Sequence, residues 1–202
     1  MPIAVTEAIE SSVRFEAPRK RWTRQEFAAV EEAGLLAGQR LELIEGDLIT
    51  KMPKNRRHTN GLIFLQAWLI QTFGLEFINP ETSIDVAPEE NPTSEPEPDL
   101  IVLQRPSWEY ADANPSPSDI RLVVEVADST LSFDLRNKAT LYARAGIAEY
   151  WVLDVAMRRL IVHREPGAGH YAAVAAYSES ESVAPLAAPT MMFRVADAFR
   201  SQ

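Results

Sequence analysis

The chain contains no cysteine among its 202 residues. Disulfides, thiolate zinc sites and cysteine nucleophiles are therefore excluded, and the absence suits a reducing compartment. A long hydrophobic run is also missing. The longest apolar stretch, Leu62 to Phe73, is broken by Gln66 and Gln71 and is too short to span a bilayer. Residues 1 to 20 carry Glu7, Glu10 and Glu16 without a continuous apolar segment, which is not the pattern of a signal peptide. The expectation is a cytoplasmic protein with no membrane association and a flexible tail over residues 1–20, followed by one domain over 21–202.

Basic charge is scarce as well. The net charge is -9 and the pI about 4.9. Phosphate neutralisation supplies much of the affinity of nucleic-acid binders, so this balance argues against a protein that coats DNA. It does not exclude an enzyme, because a metal-binding carboxylate cluster is itself negative. Phosphate-cradling glycine motifs are absent too: Gly167-Ala168-Gly169 lacks the other glycines of a dinucleotide fingerprint and precedes a strand. Ser129 has no histidine placed to act as its base. His163 and His170 flank a turn without metal-ligand spacing and read as structural.

What is present is the composition of an ordinary globular domain, 46% hydrophobic and 24% charged. Thr23 and Glu26 form the pattern of a capping box, with Phe27 and Val30 on one helical face and Gly34 as the stop. Arg40 to Lys51 reads as a hairpin turning at Gly46-Asp47. His58 to Phe73 reads as a helix apolar on nearly all sides. Such a helix belongs in a core or at a subunit contact, so a homodimer through 58–73 is a natural expectation. LEFIN and TSIDV, within 75–87, read as short strands. Eight of the 14 prolines lie between Pro80 and Asp119, which rules out a continuous helix there. Strands are expected at Asp99–Leu103, Ile120–Val126, Glu149–Val155, Leu160–Arg164 and Tyr171–Tyr177. A helix follows the second of these over Ser129–Ala145, and a short one is placed near Arg194–Phe199. This order gives an α/β domain with a central mixed β-sheet flanked by helices.

Three residues stand out once the strands are placed. Asp99 follows Pro98 at the start of one strand, Glu125 lies near the end of the next, and Lys138 lies on the helix after it. Carboxylates on neighbouring strands suit a hard cation such as Mg²⁺ or Mn²⁺. The cation and a nearby lysine together meet the needs of phosphodiester hydrolysis. Each residue also has a plainer reading. Asp99 can cap a turn, and Asp134 with Lys138, four apart on a helix, can be a surface salt bridge. Glu125 is harder to treat so, because a carboxylate in apolar strand surroundings is costly to bury without a partner. Lys51, Lys54, Arg56 and Arg57 surround His58 and read either as a solvated loop or as a phosphate-contacting rim. Trp108 and Tyr110 could stack on bases, or simply anchor their loop.

The set Pro98-Asp99, Glu125-Val126 and a nearby lysine resembles the PD-(D/E)XK nuclease superfamily. More narrowly the chain resembles the Uma2 family, through ELIEGDL at Glu42–Leu48, His58, and EPDLIVL at Glu97–Leu103. The likeness continues through LVVEVADST at Leu122–Thr130, Asp134, Lys138, and LYARAGIAEYWVLD at Leu141–Asp154. It implies a restriction-endonuclease-like fold and a metal-dependent endonuclease acting on DNA. Asp99 and Glu125 would hold the metal, and Glu42 and Lys138 would complete the catalytic set. His58 and Asp134 would be accessory. A strict E-X-K motif places lysine at position 127, where this chain has Ala127. Residues 125 and 127 share a strand face, so the small side chain leaves room for an ammonium arriving from elsewhere. The resemblance assigns that part to Lys138. Glu45 competes with Glu42 for the early acidic position, because the direction of each depends on the buried face of the hairpin. A binding or regulatory module derived from a nuclease is the alternative function.

Overall fold

The computed structural model describes residues 18–53 and 55–200. The tail expectation therefore lies outside the described residues for 1–17, as does the expected role of Lys54; residues 18–20 are exposed and belong to no helix or strand. Helix α1 (Arg24–Glu32) carries the capping box expected at Thr23 and Glu26 and buries Phe27. Strands β1 (Leu41–Ile44) and β2 (Asp47–Thr50) form a separate antiparallel hairpin. Its two-residue turn is Glu45-Gly46, one position earlier than the sequence suggests. Both turn residues have positive φ, 49° and 79°, as the type of turn that follows strand twist requires.

Helix α2 (Arg56–Phe73) begins at the Asn55 cap, whose side chain accepts from the His58 amide. The expectation that it is apolar, and so buried, on nearly all sides needs correction. It buries Gly61, Leu65 and Leu69 on one face, while Ile63 is 54% exposed on another. Gly61 permits the close approach to the sheet, since a Cβ there would lie 2.9 Å from Leu153 Cδ2. One buried face is satisfied by the sheet, so the helix gives no ground for a second copy.

The main sheet runs in the order β3-β4-β5-β6-β7-β8. Its strands are β3 (Ile78–Pro80), β4 (Leu100–Leu103), β5 (Ile120–Ala127), β6 (Glu149–Asp154), β7 (Arg159–Pro166) and β8 (Tyr171–Ser178). Only β5 and β6 pair in parallel, so the sheet is mixed, as expected. LEFIN is largely a 3₁₀ turn, Leu75–Phe77, and only its end enters β3. TSIDV is not a strand, although Ile84 and Val86 are buried there. Short β9 (Ser182–Val183) and β10 (Phe193–Arg194) pair with each other, and the expected C-terminal helix is the 3₁₀ turn Val195–Phe199.

Strand alternation divides the core. Leu100, Val102, Leu122, Val124, Val126, Trp151 and Leu153 meet α2 on one face. Ile101, Leu103, Val123, Ala127, Tyr150 and Val152 meet the third helix on the other. That helix, α3, has three contiguous parts: Leu131–Phe133, a π-helical turn at Asp134–Lys138, and Ala139–Arg144. Glu125 falls between Val123 and Ala127 in the alternation and so faces α3.

Glu149 is a fully buried carboxylate at the start of β6. It accepts from Arg164 Nη2 at 2.6 Å, Trp151 Nε1 at 2.9 Å and the Leu186 amide at 2.7 Å, tying the 184–186 segment to the sheet. Replacing Glu149 by Ala strands a guanidinium and two N–H donors. The expected loss, by urea denaturation, is about 3–5 kcal/mol. A loss below about 1 kcal/mol would show that these groups find water instead.

Candidate active site

Lys138 is the residue around which the site is built. The π-helical turn widens α3 at Asp134–Lys138, so both of these residues turn inward and both are 3% exposed. Such turns often mark functional positions in helices. This burial corrects the reading of Asp134 and Lys138 as a surface pair. Lys138 Nζ lies 2.7 Å from Glu125 Oε1 and 2.9 Å from Glu42 Oε2. Asp134 instead accepts from Thr130 Oγ1 at 2.7 Å.

Glu42 reaches the lysine from β1. Its competitor Glu45 lies in the turn itself, exposed, and pairs with Arg144. The competition between them is thus decided by the hairpin register, in which Glu42 sits opposite Ile49. Glu42 Oε2 also accepts from the Glu97 amide at 3.2 Å. Lys51 holds that same segment: its Nζ donates to the Glu97 carbonyl at 2.8 Å and lies 3.2 Å from Glu97 Oε2. Lys51 therefore ties this segment to the end of β2 while lining the same cavity as Glu42. Arg56 and Arg57 are exposed on the first turn of α2.

Asp99 ends the proline-rich segment just before β4 and is 5% exposed, like Glu125. Its Oδ2 accepts from the Val126 amide at 2.8 Å and lies 3.4 Å from His58 Nε2. Its own amide donates to Glu125 Oε2 at 3.4 Å. The two carboxylates therefore sit side by side across β4 and β5. Glu42, His58, Asp99, Glu125, Asp134 and Lys138 all line one open cavity of about 300 Å³. His58 Nδ1 is buried there without a hydrogen-bond partner among the described residues.

The electrostatics follow from burying these charges together. Burial pushes the Glu125 carboxyl up to about 8; Lys138 pulls it down, and Asp99, Asp134 and Glu42 push it up further. Burial alone would lower Lys138, but the attraction of Glu125 and then Glu42 overrides it and holds the ammonium well above its ordinary value. Asp134 is raised to about 6 by burial, against the pull of Lys138 and the Thr130 hydroxyl. With Lys138 charged, the carboxylates of the cavity outnumber its buried ammonium. That surplus fits a hard divalent cation, for which Asp99 and Glu125 are the adjacent donors. Among the described residues no group of three or more His, Asp or Glu side chains is arranged as a ligand set. A cation held here would take two carboxylates and complete its shell with water, as Mg²⁺ commonly does.

Tyr142 is the residue that sequence reasoning missed. Its hydroxyl donates to Glu125 Oε1 at 3.3 Å. The available signal was its spacing: Asp134, Lys138 and Tyr142 recur every four residues on one helix face. Trp108 is 67% exposed, whereas Tyr110 is held in its loop by Asp119 and Arg105. His163 is buried, with Nδ1 3.3 Å from the Tyr150 carbonyl and burial lowering its pKa.

Two outcomes follow for stability. Lys138→Met leaves Glu42 and Glu125 facing each other without a cation, with an expected loss of about 3–5 kcal/mol in urea unfolding; a change under about 1 kcal/mol would contradict the buried pairing. Asp134 concerns pH. Its folded value is raised, so its share of stability is present below pH 4 and lost as pH rises toward 6. Asp134→Asn should therefore gain about 3 kcal/mol on wild type between pH 4 and pH 7. Parallel stability curves for the two proteins would refute this.

The comparisons with known proteins agree with this fold. The sequence model of the Uma2 family, described as "Putative restriction endonuclease", matches residues 24–196. A solved structure titled as a putative nuclease belonging to DUF820, from Anabaena variabilis ATCC 29413, superposes with a TM-score of 0.62 at 14% identity. The superposition covers 88% of this chain and 97% of that one, and at such identity it speaks for the fold alone. No curated protein matches the chain. Because the family match spans nearly the whole of the described domain, the chain belongs to the Uma2 family.

Proposed function

We propose that the protein is a metal-dependent endonuclease that hydrolyses DNA phosphodiester bonds at the Lys138 cavity. The observation that carries this reading is the buried ammonium of Lys138, clamped between Glu125 and Glu42, beside the adjacent carboxylates of Asp99 and Glu125. Asp99 and Glu125 would hold Mg²⁺ or Mn²⁺. When bound, the cation supplies charge to oppose that developing on the phosphate and lowers the pKa of water at the site.

The chain's own residues divide the remaining work. Lys138 stays protonated, since its value is raised rather than lowered. It therefore acts as a fixed cation that orients water and stabilises the anionic phosphate, and not as a base. Glu42 keeps the ammonium in place from the side opposite Glu125. Tyr142 and Lys138 both fix Glu125 Oε1, which leaves the carboxylate little rotational freedom. His58 would contact the phosphate or water, with Asp99 orienting its Nε2. Asp134 supports the helical turn that delivers Lys138.

A second reading, a DNA-binding or regulatory module without catalysis, is favoured by the lack of a three-residue ligand set among the described residues. One experiment separates the two. Purified protein is incubated with supercoiled, linear and single-stranded DNA in Mg²⁺ or Mn²⁺, alongside Glu125→Gln. The expected result is cleavage by wild type and a loss of at least about a hundredfold in the variant. The enzymatic reading fails if every DNA form stays intact while a control nuclease cuts, or if the variant cuts equally well. Calorimetric Mn²⁺ binding that Asp99→Asn removes is expected under the enzymatic reading; DNA binding indifferent to metal favours the module.

A further inference from the structure

A second cavity, of about 360 Å³, lies on the other side of the first turn of α2 from the Lys138 site. It is lined by Arg57 and Asn60 from α2, Arg158 from the β6–β7 turn, and Phe199 and Arg200 from the C-terminal segment. Three guanidiniums from three separate parts of the chain thus converge on one concavity, with no carboxylate among the described residues that line it. Just outside it, Glu179 accepts from Arg158 Nε and Nη2, and Asp197 accepts from Arg200 Nε and Nη2. Among the described residues, three cations against two carboxylates leave a positive excess there, in a chain whose net charge is -9.

The position of this excess gives it meaning. Arg57 is the immediate neighbour of His58, which lines the Lys138 cavity from the same helical turn. Val155, which lines the arginine cavity, donates its amide to the Ala127 carbonyl at 3.0 Å, two residues beyond Glu125. The two cavities are therefore neighbours across the ends of β5 and β6. Phe199 gives Arg158 a ring to lie on, 4.8 Å from guanidinium carbon to centroid, and its carbonyl accepts from Arg158 Nη2 at 3.4 Å.

We propose that Arg57, Arg158 and Arg200 form a phosphate subsite that holds the sugar-phosphate backbone of a DNA duplex away from the scissile bond. This rests on the nuclease reading of the neighbouring cavity. Guanidiniums suit the task because their planar donors engage phosphate oxygens in pairs. The subsite positions the strand without reading sequence. It also explains how an acidic protein engages a polyanion: the positive region is local and close to the carboxylates that would otherwise repel it.

The test measures binding of a fluorescein-labelled DNA duplex by anisotropy in EDTA across a KCl series. Wild type is compared with Arg57→Gln, Arg158→Asn and Arg200→Gln, singly and combined. Asparagine is chosen at 158 because Arg158 has φ +51°, which asparagine tolerates. Each substitution is expected to reduce the slope of log Kd against log salt by about 0.9. Melting temperature should stay near wild type, and supercoiled-plasmid cleavage should weaken through KM more than kcat. If wild type binds and cuts while the combined variant keeps its slope and Kd, the subsite is wrong and the nuclease reading stands. If wild type neither binds nor cuts any DNA, the nuclease reading itself has failed and the subsite falls with it. Inorganic phosphate displacing the duplex far better than chloride at equal ionic strength would assign the arginines to a free anion and overturn the backbone role.

Discussion

A single buried cation organises this protein's candidate site. Lys138 is buried, and an ammonium removed from water survives only beside compensating charge. Glu125 from the main sheet and Glu42 from the hairpin supply it, so the lysine joins two sheets that share no strand. Each carboxylate has the same need in reverse. Burial pushes the Glu125 carboxyl up and the lysine pulls it back, while Asp99 beside it adds to the upward pressure. The three-way arrangement is thus mutually dependent, and its charge surplus is what suits it to an added cation.

The surrounding contacts keep that arrangement in register. Lys51 holds the backbone of Glu97, and the Glu97 amide holds Glu42. Arg144 pairs with both Glu45 and Glu90, fastening the hairpin tip to the end of α3. The π-helical turn supplies the remaining adjustment by turning Asp134 and Lys138 inward together. A regular α-helix would have spread the same residues differently over its surface.

Much of this was legible in the sequence. Asp99 and Glu125 could be placed because β4 and β5 are strong apolar runs whose alternation fixes a face. The mixed sheet could be inferred from the order of elements. Lys138 needed the family resemblance, because four-residue spacing from Asp134 equally describes a surface pair; only the π-helical turn distinguishes the two. Glu42 and Glu45 could not be separated, since hairpin direction depends on what covers it. Lys51 looked like a surface cation because its partner, Glu97, lies 46 residues away. The arginine cavity was invisible for the same reason: Arg57, Arg158 and Arg200 converge only after folding. The α2 helix was misread from composition, where apolar residues on two faces suggested burial on both.

The Glu45-Gly46 turn acts as a ruler for the whole site. Side chains alternate along β1, so lengthening or shortening the turn by one residue would bring Leu41 or Leu43, rather than Glu42, toward the lysine. Two residues with positive φ, one of them not glycine, set that length. The chemistry at the cavity is therefore gauged by a bend in the chain that itself touches nothing in it.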